Sequence, residues 1–348
     1  MNKCLVTKLS GTVNNSSIRK LGEMRVHISS IDSPSATSQK LNLGVSKDVE
    51  LEIVGNGYFT DAGLSANKGK TMTALAALNP FAEVYFSNGD YDISIKNKYA
   101  INYMNAPSPV SLNIDDLSYS KDLTQLTLAS KKVTGDISAV KDLTALTQIS
   151  LQNSQVTGDI SAVKDLTALT QISLQNSQVT GDISAVKDLT ALTQILVQGS
   201  KISGDIAALG KLNKLLYCYV DNLKGDVSVL AKTSELIRFS TNYSSLFGDL
   251  SLAAKNLNFF GCSLSDDSKF TWNTTRSSDS KIMALQGAVA MDNIDAMLIN
   301  QANCTKDITS SSNSIFKTIA VIGTHTSASD AAVQTLQSKD YTVSIIPA

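Results

Sequence analysis

A stretch of 23 residues, VTGDISAVKDLTALTQISLQNSQ at 133–155, returns letter for letter at 156–178, and its first 17 residues return again at 179–195. Diverged copies follow at 202–222, at 223–245 and from 246. A degenerate copy precedes them, running from Ile114 through Leu117, Leu123, Leu126 and Leu128. A fixed period of this length marks a stack of small units, each touching only its neighbours. One unit cannot fold alone. Its few apolar side chains bury too little to offset the entropy of ordering its backbone. Neighbouring units must supply the missing hydrogen bonds and cover the open apolar faces, and both ends of the stack need closing.

Within one unit the apolar positions are Val133, Ile137, Val140, Leu143, Leu146, Ile149 and Leu151. The alternation over Leu146-x-x-Ile149-x-Leu151 predicts a strand with Ile149 and Leu151 inward and Gln148, Ser150 and Gln152 outward. Gly135 falls where the chain must turn sharply, which a residue without Cβ tolerates. Asp136 stands before Ile-Ser-Ala-Val as an N-cap stands before a helical turn.

The pattern L-x-x-L-x-L-x-x-(N)-x-x-V-x-G-x-I resembles the leucine-rich-repeat family, in its 23–24-residue type with L-x-G-x-I on the convex side. The resemblance covers about 150 residues and implies a β/α solenoid with a parallel β-sheet on its concave face. Two departures stand out. The strand-end asparagine is present as Asn153 and Asn176, and we read it as replaced by Ser200 one unit later. The proline that often follows the isoleucine is Ser138, Ser161 and Ser184 here. Loss of the asparagine predicts irregular side-chain bonding of the turn in later units.

Residues 1–105 read as an all-β, sandwich-like domain, with strands expected at Cys4–Val13, Met24–Ser29, Val49–Val54, Lys70–Leu75, Ala82–Phe86 and Tyr91–Ile95. Ser87-Asn88-Gly89-Asp90 reads as a hairpin turn joining the last two. Residues 106–113, with Pro107 and Pro109, form the expected junction to a solenoid at 112–265. Residues 266–348 leave the 23-residue register and read as an α/β cap: a helix over Asp292–Gln301, a strand at Thr318–Gly323, a helix at Ser327–Gln337 and a final strand at Tyr341–Ile346. The strands of 1–105 are least committed to the repeat, so attachment or oligomerisation is expected there, through edges able to pair with another chain.

Composition narrows the function classes. The chain is 43% hydrophobic and 18% charged with a net charge of −1. Nothing draws it electrostatically to nucleic acid or an anionic membrane. No apolar run is long enough for a membrane span. The N-terminal MNKCLVTKLSGTV lacks the apolar stretch of a secretion signal. Cys4, Cys218, Cys262 and Cys304 show no CxxC spacing and read as separate thiols. Only His27 and His325 exist, neither with an acid or cysteine at motif spacing, so a histidine triad or zinc site has little material. Gly69-Lys70-Thr71 lacks the upstream glycine of a phosphate loop and reads as a β-turn. The chain is therefore read as non-enzymatic and cofactor-free.

Two surface features remain. The column Asp136, Asp159, Asp182, Asp205, Asp226 and Asp249 repeats at the strand spacing of about 4.8 Å, close enough for mutual repulsion. Each carboxylate either caps its own turn or shares a cation such as calcium, and capping is favoured because acidic loops do not alternate as in repeat calcium sites. On the concave face, Gln148, Gln152, Gln171, Gln175, Gln194 and Gln198 flank Ser150 and Ser173, an ordinary solvated polar surface. Further along, Leu196, Tyr217, Tyr219 and Arg238 replace those small polar residues. Tyrosine and arginine supply rigid contact area at interfaces, so these four are the candidate site for a protein or cell-surface glycan. Packing against the C-terminal cap is the plainer alternative.

The segments KCLVTKLSGTVNNSSIRKLGEMRV and KTIAVIGTHTSASDAAVQTLQSKDYTVSI resemble parts of leucine-rich-repeat proteins carried by phages and prophages of gut bacteria. That resemblance implies a virion component, such as a capsid decoration or fibre. It would assemble in the host cytoplasm, bind other virion proteins through the N-terminal domain, and display the repeats. A bacterial adhesion or protein-interaction module is the alternative, and it requires an export route.

Overall fold

The computed structural model describes the strands at 23–28, 38–45, 49–54, 71–74, 81–87, 91–96 and 101–106. It also describes residues 110–252 except 119, and 257, 259–264, 268–273, 283–304 and 317–347. The expected strand at Cys4–Val13, the turn at Gly69-Lys70 and the turn at 88–90 lie outside the described residues.

The repeat forms a leucine-rich-repeat solenoid with two parallel ladders. Along the concave face, Gln125–Leu128, Gln148–Ser150, Gln171–Ser173, Gln194–Leu196, Tyr217–Tyr219 and the first half of Arg238–Asp249 pair side by side. Along the convex side run shorter strands and bridges, from Lys132–Thr134 through the Asp136–Thr157 and Asp159–Thr180 bridges to Thr180–Asp182, Lys201–Asp205 and Leu223–Asp226. Between the ladders each unit makes a short 3-10 turn, as at Ile137–Val140, Ile160–Val163 and Ile183–Val186. All seven apolar positions of the first unit are fully buried, Leu143 and Leu146 included. The core is a continuous column of Ile, Leu and Val until the diverged units. There Phe239 stacks on Phe260 at 5.4 Å and Phe260 meets Phe270 edge-on at 5.7 Å.

Columns of identical side chains bind unit to unit. The hydroxyls of Thr147, Thr170 and Thr193 donate to the carbonyls of Thr124, Thr147 and Thr170 at 3.0, 2.9 and 2.9 Å. The Asn176 amide donates to Asn153 Oδ1 at 3.0 Å. Asn153 and Asn176 hold φ of +57° and +54°, the left-handed region where asparagine is tolerated.

The N-terminal strands form two sheets, and each continues into one ladder of the solenoid. Phe81–Ser87, Ser38–Val45 and Ile101–Ala106 pair antiparallel, and the last then pairs parallel with Gln125–Leu128. Thr71–Ala74, Val49–Val54, Tyr91–Lys96, Glu23–Ile28 and Val110–Asn113 form the second sheet, which joins Lys132–Thr134. Three of these strands, Ser38–Val45, Ile101–Ala106 and Val110–Asn113, were not expected from sequence. The hairpin expectation at Ser87–Asp90 is corrected: Phe81–Ser87 pairs with Ser38–Val45, whereas Tyr91–Lys96 pairs with Glu23–Ile28 and Val49–Val54.

At the far end, Phe259–Leu264, Ala284–Ala290, Thr318–Ile322 and Thr342–Ile346 extend the same parallel concave ladder. The helices Ile294–Ala302 and Asp330–Ser338 take the place of the 3-10 turns. Asp295 ties these last two turns together, accepting from Thr326 N–H at 3.0 Å and Ser329 Oγ at 2.6 Å. Burial raises its carboxyl, but the bonds from Ser329 and Thr326 outweigh that and hold it below the usual range. Lys339 Nζ donates to the carbonyls of Ala302 and Cys304 at 3.0 and 3.1 Å, placing a cation on the C-terminus of the first helix. Among the described residues no helix is long and apolar enough to cross a membrane.

Candidate functional site

The aspartate column is resolved by hydrogen bonding. Asp136, Asp159, Asp182, Asp205 and Asp226 each precede a 3-10 turn and accept from the backbone N–H two residues on, at 2.7–2.8 Å. Asp249 does the same with Ser251 at 2.9 Å. The bond from the Ser161 backbone lowers the Asp159 carboxyl, and that from Ser184 lowers Asp182. For Asp136, Asp159, Asp182, Asp205 and Asp226 the other side of the carboxylate rests on the glycine of the next unit. A Cβ on Gly181 would lie 2.7 Å from both Asp159 carboxylate oxygens, and Gly181 has φ +110°. Glycine here serves both the turn and the neighbour's cap. Among the described residues no group of three or more His, Cys, Asp or Glu could hold a metal ion.

Open grooves follow this convex side. The larger ones enclose about 560 Å³ each, lined in one unit by Asp136, Ser138, Lys141 and Asp142 and in the next by their counterparts. A smaller one of about 310 Å³ lies one unit earlier, beside Asp115 and Ser118. They are far along the unit from the concave residues singled out by sequence.

Those four residues fall on adjacent strands. Leu196 is opposite Tyr219, and Tyr217 is opposite both Gln194 and Arg238. All four are half-buried on the concave face. Their surroundings differ from the rest of that face. Ser150 and Ser173 are buried at 6% and 2% exposure, so the flanking glutamines, not the serines, meet solvent. A short side chain between two long amides on the concave side is shaded by them. Next to Arg238 in the same column is Phe259, whose ring folds over Gly261; a Cβ there would meet ring carbons at 2.6 and 2.7 Å.

The departure at the strand-end asparagine is also relocated. The residue one period after Asn176 is Gly199, with φ +72°, and not Ser200. Ser200 lies beside it, buried, with its hydroxyl on the Val197 carbonyl at 2.5 Å. The turn keeps its side-chain bonding through a different group, Asp221, which sequence reading passed over. This carboxylate is 6% exposed and accepts from Gly199 N–H at 2.8 Å, Asn242 N–H at 3.0 Å and Asn242 Nδ2 at 2.9 Å. Gln198 Nε2 also reaches across to Ser240 Oγ at 3.1 Å.

Of the histidines, His325 is exposed in the turn before the last helix, and His27 lies in the strand Glu23–Ile28 opposite Asp92 and Ser111. Cys218 and Cys304 are buried and form no disulfide, and burial pushes the Cys218 thiol up, away from reactivity.

No protein-family profile matches the chain, and no curated protein matches it in sequence. Solved structures do match. An internalin (InlF) of Listeria monocytogenes aligns at 17% identity and TM-score 0.44 over 72% of this chain and 83% of that one. Internalin C2 of the same organism aligns at 24% identity and TM-score 0.40 over 49% and 76%. The leucine-rich-repeat ectodomain of the plant membrane receptor kinase GASSHO1/SCHENGEN3 from Arabidopsis thaliana aligns at 15% identity and TM-score 0.48 over 67% and 28%. These matches are internalins and a receptor ectodomain rather than virion proteins, and the expectation of a phage capsid decoration or fibre is corrected on that finding.

Proposed function

We propose that the chain is an adhesion or interaction scaffold whose binding surface is the diverged end of the concave sheet. One observation carries this reading: Leu196, Tyr217, Tyr219 and Arg238 stand together on adjacent strands, at the positions where the identical units before them present Gln and Ser. Rigid rings and a guanidinium concentrated in one place are the residue types that carry most of the energy of protein contacts. The identical units 133–195 offer neutral amides and serve to set the position of that end.

The test is adhesion of the purified, fluorescently labelled protein to a panel of bacterial and animal cell surfaces. The triple variant Tyr217→Ala, Tyr219→Ala, Arg238→Ala is expected to lose binding by at least about tenfold while melting within a few degrees of wild type. Full binding by a folded triple variant contradicts the proposal.

A further inference from the structure

The concave ladder ends on two strands that each have a single neighbour among the described residues, Phe81–Ser87 and Thr342–Ile346. Sheet edges are ordinarily blunted by charge, proline or a bulge. Phe81–Ser87 carries Glu83. Thr342–Ile346 carries neither charge nor proline and pairs with Thr318–Ile322 without a register skip. Its inward side chains are unfinished business for the core. Val343 lies beside Ile319 and Ile345 beside Val321. Ile319 and Val321 are fully buried, whereas Val343 and Ile345 pack on the same core and stay half-exposed. The apolar column of the solenoid is therefore still open at this end.

Hydrogen bonding fixes which backbone groups that edge offers. Successive residues of a strand direct their N–H and C=O groups to opposite edges. The Ile346 carbonyl accepts from Gly323 N–H at 2.9 Å, so Thr342, Ser344 and Ile346 face the neighbouring strand. Val343 and Ile345 direct theirs to the open side. The offer stops at both ends: Tyr341 N–H is committed to the Leu336 carbonyl at 3.1 Å, and Pro347 has no N–H. A second copy, antiparallel about a twofold axis at Ser344, sets Val343 of each copy opposite Ile345 of the other. Each such pair exchanges both N–H···O bonds. Moving the axis to Val343 or Ile345 would pair an open residue with Tyr341 or Pro347, neither able to donate. In the Ser344 register all four side chains lie on one face, against the open core.

We propose that Thr342–Ile346 is the interface of a twofold dimer, in which this strand pairs antiparallel with the same strand of a second copy and the two solenoids share one sheet. A second copy fits better than a longer foreign strand, because the two open residues complement each other and the residues beyond them cannot extend the ladder. The helix of the same unit, Asp330–Ser338, is uncharged after Asp330, and its exposed Gln334, Thr335 and Gln337 set no like charges against a second copy. A self-complementary contact closes on itself, so the product is a dimer and not a filament. The contact is small, so association is expected to be reversible, with a Kd of about 1–100 µM. The pairing stands independently of what the concave face binds, and it would present two copies of that face.

The test is analytical ultracentrifugation of the full chain across that concentration range, with cross-linking to read the register. Wild type is expected to pass from monomer to dimer. Ser344 is exposed and lies on the axis, so Ser344→Lys sets two like charges opposite each other. It should weaken dimerisation at least about tenfold and leave the melting temperature of dilute protein unchanged. Ser344→Cys places two thiols across the axis, about 4.5–5.5 Å apart at Cβ, and should form an intermolecular disulfide with oxidised glutathione, identified as the linked 344–344 peptide by mass spectrometry. Ile346→Cys, also exposed, falls about 14 Å from its counterpart in this register and should not form a linked 346–346 peptide. A wild type that stays monomeric to about 100 µM, a dimer indifferent to Ser344→Lys, a 346–346 link as ready as the 344–344 link, or growth into filaments would each overturn the proposal.

Discussion

The identical units at 133–195 and the diverged units at 196–250 share one backbone path and hold it by different means. In the first, order comes from repetition: each threonine bonds the previous threonine carbonyl, and Asn176 bonds Asn153. In the second, Leu216 stands where the threonine ladder would continue, and Gly199 where the asparagine would. A single buried carboxylate, Asp221, replaces the amide ladder, and phenylalanines replace aliphatic core residues. The comparison teaches that the repeat's geometry is set by a few backbone demands, the left-handed corner and the capped 3-10 turn. Side chains above those demands are free to change, and they change where the surface gains rings and a charge.

The demand common to both regions should be the hardest to violate. Gly181→Val places a Cβ against the Asp159 carboxylate at positive φ. It is expected to destabilise by about 2–4 kcal/mol, combining backbone strain and a displaced cap, read by urea unfolding. Asp221→Ala strikes only the diverged region. It leaves three donors without their charged acceptor, an expected cost of about 2–3 kcal/mol. A cost below that of a surface cap would show that the later units do not depend on it.

Asp159→Ala removes one cap from an identical unit, at an expected cost of about 1 kcal/mol. The same residue gives a pH dependence. Its folded carboxyl is held below the usual range by Ser161. Its contribution is therefore complete above the unfolded pKa of about 3.9 and is lost as pH falls through the lower folded value. Asp159→Asn, which caps without titrating, should flatten that acid loss. The smallest effect expected is that of a chelator. The aspartates cap turns, so excess EDTA should leave the melting temperature unchanged, and a fall restored by calcium would return the column to the metal reading.

Much of this was legible because the repeat makes burial, strand and cap recur in register, so that Ile149, Gly135 and Asp136 declare themselves by position. The flanks were less legible for physical reasons. Ile101–Ala106 and Val110–Asn113 are strands because two ladders continue through them, a long-range fact that INYMNA and VSLN do not carry locally. An Asn-Gly pair in the sequence predicts a turn, but a predicted turn does not say whether the strands before and after it share a sheet. At the site, Tyr217, Tyr219 and Arg238 were visible as departures from glutamine. Asp221 was hidden by its resemblance to an ordinary surface acid.

The central claim is a division of labour: the identical units place the diverged end, and the diverged end binds. The direct measurement is cell adhesion of three proteins side by side: wild type, the variant lacking residues 156–178, and the Tyr217→Ala, Tyr219→Ala, Arg238→Ala variant. Removing one identical unit rejoins surfaces that already meet, so that protein should stay folded, shorten by about 4.8 Å along the stack and adhere like wild type. The triple variant should stay folded and lose adhesion. Loss of adhesion by a folded deletion variant, with retention by the triple variant, would contradict the account.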